Sequence, residues 1–359
     1  MRIAFVHGRP GPHPFHALLA KSVNADFHFP DPVMRWHDRS TSRWYRNVSM
    51  VVCSLLFSRK SRYDALISEG PHTIPVLTRM FTVGSRPKAV ALMANETLYF
   101  LKSGYYEKRT HSKILSLLSR FDALICIGSM EVELAYDALR EITKKPSIYL
   151  VHSCLSDGRW NELNNISPPL EGTDIVFVGN GGSGWMSWYK GLDLLLDTAQ
   201  KLSESGRRIF FTIVGHWEEE HIDKLLSSRP GLESVVRFVG ALPSISDPLS
   251  KASLYIHLGR GEAFGISVLE AMSAGLPCIV SEWTGAKEAV AQVSEDLIVP
   301  IDAEAAARKA LWYFDLPQEI KASLSDRSRE VAKTYTEERA IREFQSAIET
   351  IVRGGIQKR

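Results

Sequence analysis

Residues 253–290 read SLYIHLGRGEAFGISVLEAMSAGLPCIVSEWTGAKEAV. Ser253 to His257 is an apolar β-rich run, a Gly-rich loop follows, and Ile266 onward is helical before Cys278 to Ser281 turns β-rich again. The helix should open near Gly265-Ile266-Ser267 and stop at Gly275, with Pro277 as a guard just beyond. Strand, helix and strand in that order make a parallel βαβ unit. Ile266, Val268, Leu269, Ala271 and Met272 are apolar on nearly every side, which predicts a helix buried between its sheet and its neighbours.

Glu270 interrupts that apolar helix. A buried carboxylate needs donors, because leaving it unpaired is strongly destabilising. Vicinal hydroxyls of a ribose would supply them, and so would a structural ion pair with an Arg or Lys elsewhere. The loop Gly261-Glu262-Ala263-Phe264-Gly265 leads into the helix start, where the N–H groups of Phe264, Gly265 and Ile266 become donors suited to a diphosphate. Glu262, at the mouth of that loop, is placed to accept from sugar hydroxyls.

Outward from this segment the same rhythm recurs. Ile3 to Val6, Ala65 to Ile67, Ala89 to Met93 and Ala123 to Ile127 read as strands, with helices at Ser112 to Ser119 and Met130 to Leu139. After a polar, Pro-containing linker, Asn161 to Thr173, strands return at Asp174 to Val178, Ile209 to Val214 and Val235 to Val239. The 359 residues therefore predict an α/β chain of two Rossmann-like, doubly wound parallel-sheet domains, 1–165 and 166–335, facing across a ligand cleft. A terminal helix over 336–359 carries one apolar face, from Ala340 to Ile351, that must pack on something, and the first domain is the expected partner.

Composition narrows the function. Apolar residues make up 45% of the chain and charged residues 23%, which excludes disorder as the main theme. No apolar run approaches a spanning helix or a secretory leader, and Cys53, Cys126, Cys154 and Cys278 show no Cys-x-x-Cys spacing, so a cytoplasmic protein with reduced core cysteines is expected. The net charge of +2 hides an asymmetry, with 22 Lys and Arg against 14 Asp and Glu over residues 1–165, and 21 against 27 in the remainder. Arg35, Arg39, Arg43 and Arg46 recur at helical steps among Trp36, Trp44 and Tyr45, which suggests an anionic membrane surface at the inner face of the membrane. The apolar residues just beyond, Val48 to Phe57, are expected to pack on the first sheet. No nucleic-acid module is visible.

Gly179-Asn180-Gly181-Gly182-Ser183-Gly184 matches G-x-G-x-x-G, but the final Gly precedes Trp185 to Tyr189 rather than opening the helix Leu192 to Leu202. The acidic residue of a dinucleotide site is also misplaced, since Glu218 is the first acid past Ile209 to Val214. Backbone N–H groups at Gly179, Asn180 and Gly181, with Lys190, suit another phosphate better. His216 and His221 are five apart rather than four, so no metal site is expected there.

Glu262 and Glu270, spaced as E-x(7)-E among the F-G, E-A-M, A-G-x-P and G-x-x-E elements, resemble the signature of retaining glycosyltransferases of family four, group one, with the GT-B fold. The resemblance is strong from Asp174 to Val299. It implies a nucleotide-diphosphate-sugar donor and a glycan or lipid-linked acceptor, with no cofactor and no metal. Glu270 would hold the donor ribose, Glu262 the donor sugar, the backbone of Phe264, Gly265 and Ile266 the phosphates, and Lys190 the diphosphate. Two family positions differ. Asn180 stands where an Arg is usual, so Arg260 or the other domain would have to supply that charge, and Asn95 stands where many members carry a His facing the sugar. His72 or His111 could take over that role. The loop containing Gly8 and Gly11, after the first strand, falls where the family places a segment between donor and acceptor. A binding protein without catalysis, or a GT-B sugar-nucleotide epimerase, is the alternative.

Overall fold

The computed structural model describes residues 1–6, 13–28, 43–60 and 63–354, with the side chains of 43–47, 49, 59 and 60 outside the description. Gly8, Gly11, Arg35 and Arg39 lie outside the described residues, and Arg43 and Arg46 are described only as backbone positions in a helix. The chain divides into two compact units, Met1–Cys154 with Glu337–Arg359, and Leu155–Thr336. The division falls at Cys154, eleven residues before the boundary expected at 165. The reason is local bonding: Arg329 donates to the carbonyls of Asn164 and Ile166, which fastens the intended linker to the second unit.

The first unit holds a six-stranded parallel sheet in the order β2-β1-β3-β4-β5-β6. The strands are β1 (Ile3–Val6), β2 (Asp26–His28), β3 (Ala65–Glu69), β4 (Lys88–Met93), β5 (Ala123–Cys126) and β6 (Ser147–Leu150). Phe5, Ile67, Leu92 and Ile125 are fully buried, as expected of parallel strands covered on both faces. β2 and β6 carry little sequence signal because they are short edge strands, and β2 has one apolar residue, Phe27.

The helix Arg43–Lys60 corrects one expectation. Met50, Cys53 and Phe57 pack against Ala4, Val6, Tyr63, Leu66 and Ile74, whereas Val48, Val51, Val52, Leu55 and Leu56 are exposed, Leu56 by 50%. Both sets have helical spacing and lie two residues out of phase, so periodicity alone does not choose between opposite faces. Bulk decides: Met50 and Phe57 reach the strands, and Ser54 returns its hydroxyl to the Met50 carbonyl at 2.7 Å.

The terminal helix Glu337–Arg353 belongs to the first unit. It buries Ala340, Phe344, Ala347, Ile348 and Ile351, and Gln345 donates to the carbonyl of Ser22, at the end of the helix Pro14–Ser22, at 2.7 Å. Beyond β6, the backbone N–H of His152 donates to Glu343 Oε2 at 2.8 Å and its Nδ1 lies 2.9 Å from the same oxygen. Burial works against the Glu343 charge, yet His152 and Arg339 outweigh it and hold the carboxyl down at about 2.

The second unit repeats the architecture in the order β12-β11-β10-β7-β8-β9. Its strands are β7 (Ile175–Val178), β8 (Phe211–Val214), β9 (Val236–Gly240), β10 (Leu254–His257), β11 (Cys278–Ser281) and β12 (Ile298–Val299). The chain winds outward from β7 through β8 and β9, then returns to the other side of β7 as β10. Ligands of open parallel sheets sit at such a reversal, outside the carboxyl ends of the two central strands. The loops there are 179–183 and 258–265. All four cysteines are buried.

Candidate functional site

The glycines after β7 serve close packing. A Cβ on Gly179 would meet the Phe177 ring and one on Gly181 the Trp217 ring. Asn180 Oδ1 accepts from the His216 N–H at 2.6 Å, which pins this loop to the turn after β8 and engages the side chain at the family's Arg position. Trp185 to Tyr189 lie in a short helix, Gly184–Tyr189, that ends at Lys190. Gly191 follows in the left-handed region at φ 74°, and a Cβ there would run into the Leu258 carbonyl. Only glycine lets the chain after Lys190 lie against the loop following β10.

That contact places Lys190 beside Glu262. Lys190 Nζ lies 2.5 Å from Glu262 Oε2, with both side chains less than 20% exposed. The Glu262 loop is braced by the segment after β11, through Gly261 N–H to Trp283 O at 3.1 Å, Gly285 N–H to Glu262 O at 2.9 Å and Ala286 N–H to Phe264 O at 2.7 Å. Burial alone would raise the Glu262 pKa, but the Lys190 ammonium and then His257 overcome it and hold the carboxyl well below the usual range. Glu262 is therefore a charged acceptor fixed in place.

His257 was not singled out by the sequence reading. It ends β10, is 1% exposed, and lies with Nδ1 3.3 Å from the Tyr255 hydroxyl and Nε2 3.6 Å from Glu262 Oε2. Among the described residues its Nε2 makes no hydrogen bond. Tyr255 in turn donates to Ser267 Oγ at 2.9 Å, joining β10 to the helix Ile266–Ser273. The available signal was a polar residue closing an apolar strand in front of a glycine loop.

Gly265 caps that helix in the left-handed region at φ 94°. Among the described residues nothing accepts from the amides of Phe264, Gly265 and Ile266, so a helix start presents its positive end beside Lys190 and Glu262. One turn on, Glu270 is 16% exposed and its Oε1 lies 2.9 Å from Arg159 Nε. Burial raises the Glu270 pKa; Arg159 counters it, while Glu162 pushes it further up. The ion-pair partner that sequence left open is thus Arg159, in the helix Asp157–Leu163.

Arg260 is 9% exposed and its guanidinium is engaged by neighbouring groups. Its guanidinium makes two 2.8 Å bonds to Asp193, one of 2.6 Å to the Trp188 carbonyl, and lies 4.9 Å from the Trp188 ring centroid. Three of its five N–H donors are used in holding the helix Gly184–Tyr189 and Asp193 to the loop after β10.

In the first unit Asn95 and His72 each hold a backbone N–H at a helix start. Asn95 Oδ1 accepts from Thr97 N–H at 3.2 Å, and its amide packs on Gly70. His72 Nδ1 accepts from Ile74 N–H at 3.3 Å at the start of the helix Thr73–Phe81. His111 lines a cavity of about 450 Å³ with Leu101, Lys102, Leu134 and Asp137. Glu131, in the first turn of the helix Ser129–Ala138, also escaped the sequence reading; it is fully buried, and burial with the Glu96 charge raises its pKa well above normal. Among the described residues no three His, Cys, Asp or Glu side chains converge as metal ligands.

Comparison with known proteins follows the same geography. Residues 163–331 match the family model of glycosyl transferases group 1. An uncharacterized glycosyltransferase of Haemophilus influenzae is 28% identical over 180 residues, half of either chain. A phosphatidyl-myo-inositol mannosyltransferase of Mycolicibacterium smegmatis is 26% identical over 193 residues, covering 53% of this chain and 48% of that one. The matched stretch spans about half the length of these curated relatives. Among solved structures, HepE of Anabaena with UDP-glucose superimposes with a TM-score of 0.72 at 15% identity, covering 98% of this chain and 100% of the other. Sucrose-phosphate synthase of Thermosynechococcus elongatus gives 0.74 at 16% identity, covering 99% and 100%. Residues 163–331, which hold Glu262 and Glu270, match the model of the glycosyl transferases group 1 family, and the two parallel-sheet units are those of the GT-B fold.

Proposed function

We propose that this protein transfers a sugar from a nucleoside-diphosphate sugar to an acceptor hydroxyl, with retention of configuration and without a metal ion. The observation that carries the reading is the buried Lys190–Glu262 pair, set at 2.5 Å beside a helix start whose amides are open. A leaving diphosphate develops charge where a fixed cation and aligned N–H groups already point, which is the condition for electrostatic stabilisation without reorganisation. Glu262 accepts from hydroxyls of the donor sugar, and Glu270 from the ribose. Because the Lys190 ammonium already pairs with Glu262, the incoming diphosphate competes for it. Asn95 remains the first unit's candidate for orienting a sugar hydroxyl, with His72 as an alternative, and Gly8 and Gly11 for the acceptor side. Arg260 supports the donor site from behind.

Solved neighbours and relatives inform the substrates. HepE was crystallised with UDP-glucose, TarM of Staphylococcus aureus with α-GlcNAc-glycerol and UDP, and the mycobacterial relatives are named for phosphatidyl-myo-inositol. We take a UDP- or GDP-sugar and a glycan or lipid-linked acceptor as the first substrates to test. Among the described residues no helix is long and apolar enough to cross a membrane. The exposed apolar stripe Val48 to Leu56, in a helix without a single acid from Arg43 to Lys60, favours peripheral contact with an anionic surface. Cytoplasmic residence at the inner face of the membrane is part of this proposal.

The test is incubation with UDP-, GDP- and ADP-sugars, reading nucleotide binding, slow donor hydrolysis, anomeric configuration of product, and activity in excess chelator. Loss of donor binding in Glu262→Ala and Glu270→Ala is expected. Binding that never leads to turnover with any glycan or lipid acceptor supports the non-catalytic alternative, and release of an epimerised sugar supports the epimerase.

A further inference from the structure

Glu270 does not stand alone. Arg159 reaches it with Nε at 2.9 Å and reaches Glu162 Oε2 with Nη1 at 2.7 Å. Glu162 Oε1 in turn accepts from the hydroxyls of Ser244 and of Ser246, the latter at 2.9 Å. One guanidinium thus joins the carboxylate of the buried helix to the loop that follows β9, through the helix Asp157–Leu163. The lateral use of Arg159 is informative: its Nε takes one oxygen of Glu270, and among the described residues no hydrogen bond is made to the other carboxylate oxygen. A structural ion pair between an Arg and a carboxylate normally closes as a two-pronged fork. Here the second prong goes to Glu162.

We infer that Arg159 is a positioning residue for the donor: it holds one oxygen of Glu270 so that the other faces a vicinal diol, and Glu162 with Ser244 and Ser246 holds Arg159. The inference rests on the proposed role of Glu270 as the ribose acceptor. Two carboxylates flanking one cation also explain why the arrangement is sensitive. Without Arg159, Glu270 would lie near Glu162 with its charge unsupported, and protonation would turn an acceptor of two hydroxyls into a poorer one.

The experiment is a comparison of nucleoside diphosphates by calorimetry, using whichever of UDP, GDP and ADP the wild-type protein binds and its 2′,3′-dideoxy analogue. Arg159→Ala should weaken the ribonucleotide by on the order of tenfold, about the value of one charge-assisted hydrogen bond. The same variant should leave the dideoxy analogue unchanged, Arg159→Lys should recover most of the loss, and raising the pH should narrow the gap. Equal weakening of both nucleotides by Arg159→Ala, or of neither, overturns the inference. Should Arg159→Ala not fold, Glu162→Gln carries the same test, with the same ribonucleotide-selective loss expected. Glu270→Ala separates the two levels: if it does not discriminate ribonucleotide from dideoxynucleotide, the ribose reading itself fails; if it does and Arg159→Ala does not, only the positioning role fails.

Discussion

Lys190 and Glu262, 72 residues apart in the chain, meet at 2.5 Å between the loops that follow β7 and β10. Neither residue is placed by its own element. Gly191 lets one loop approach the other, and the hydrogen bonds from Gly261, Gly285 and Ala286 hold the second loop still. The pair sets a cation against a carboxylate, both already largely desolvated.

Breaking the pair from one side should be worse than removing it. Lys190→Met leaves Glu262 buried with His257 alone nearby, and a loss of about 3 kcal/mol in unfolding free energy is expected. Lys190→Met with Glu262→Gln should regain most of that stability and still bind no donor. Thermal unfolding and nucleotide calorimetry on the wild type and these two variants read this directly.

The two glutamates titrate in opposite directions. The Glu270 carboxyl is raised above its ordinary 4.5, so donor binding should fall as pH falls through that raised value, while Glu262, held well below 4.5, stays charged throughout. Glu270→Gln should remove the acid limb along with much of the affinity. For stability the signs differ: the contribution of Glu262 is present above 4.5 and lost as pH falls through its depressed value, whereas that of Glu270 is present below 4.5 and lost as pH rises through its raised value. A pH series of nucleotide binding, with and without Glu270→Gln, is the measurement.

Gly191 and Gly184 are both left-handed, at φ 74° and 59°, but only Gly191 has a carbonyl where a Cβ would sit. Gly184→Ala should cost about 1–2 kcal/mol from backbone strain alone. Gly191→Ala should cost more and separate Lys190 from Glu262, abolishing donor binding. Equal stability losses in calorimetric melts would contradict this.

Glu343 ties the terminal helix to the residue range after β6. Glu343→Gln removes a charged acceptor for His152 and Arg339 and should lower the stability of the first unit by about 1.5–3 kcal/mol. Since the Glu343 carboxyl is depressed to about 2, its contribution is present above 4.5 and lost as pH falls toward 2. Hydrogen exchange in the helix Glu337–Arg353 should report the loss at neutral pH.

The exposed stripe of the helix Arg43–Lys60 predicts salt-sensitive pelleting with anionic vesicles. Leu56→Asp removes an apolar side chain and adds a repelled charge, and partitioning should drop by at least about tenfold, the value of one buried aliphatic side chain. Unchanged pelleting, or pelleting indifferent to salt, would count against membrane contact.

Much of this was legible along the chain. The helix Ile266–Ser273 begins and ends where Gly265, Gly275 and Pro277 place it, and the central strands are apolar runs because both faces of a parallel sheet are covered. Edge strands such as β2 were not legible, since half-exposed residues carry no period. Nor was the buried face of the helix Arg43–Lys60, where two apolar stripes compete and bulk decides.

The sequence by itself determined the two-sheet α/β architecture and the setting of Glu262 and Glu270, one in a glycine loop and one on the helix it opens, because period, glycine placement and spacing are local properties. Tertiary structure alone decided who partners whom. Arg159 was found for Glu270, Asp193 for Arg260, His257 for Glu262 and Glu343 for His152. Charges interact through space, over a few ångströms and across as many as 191 residues of chain, so only the folded chain assigns each its neighbour.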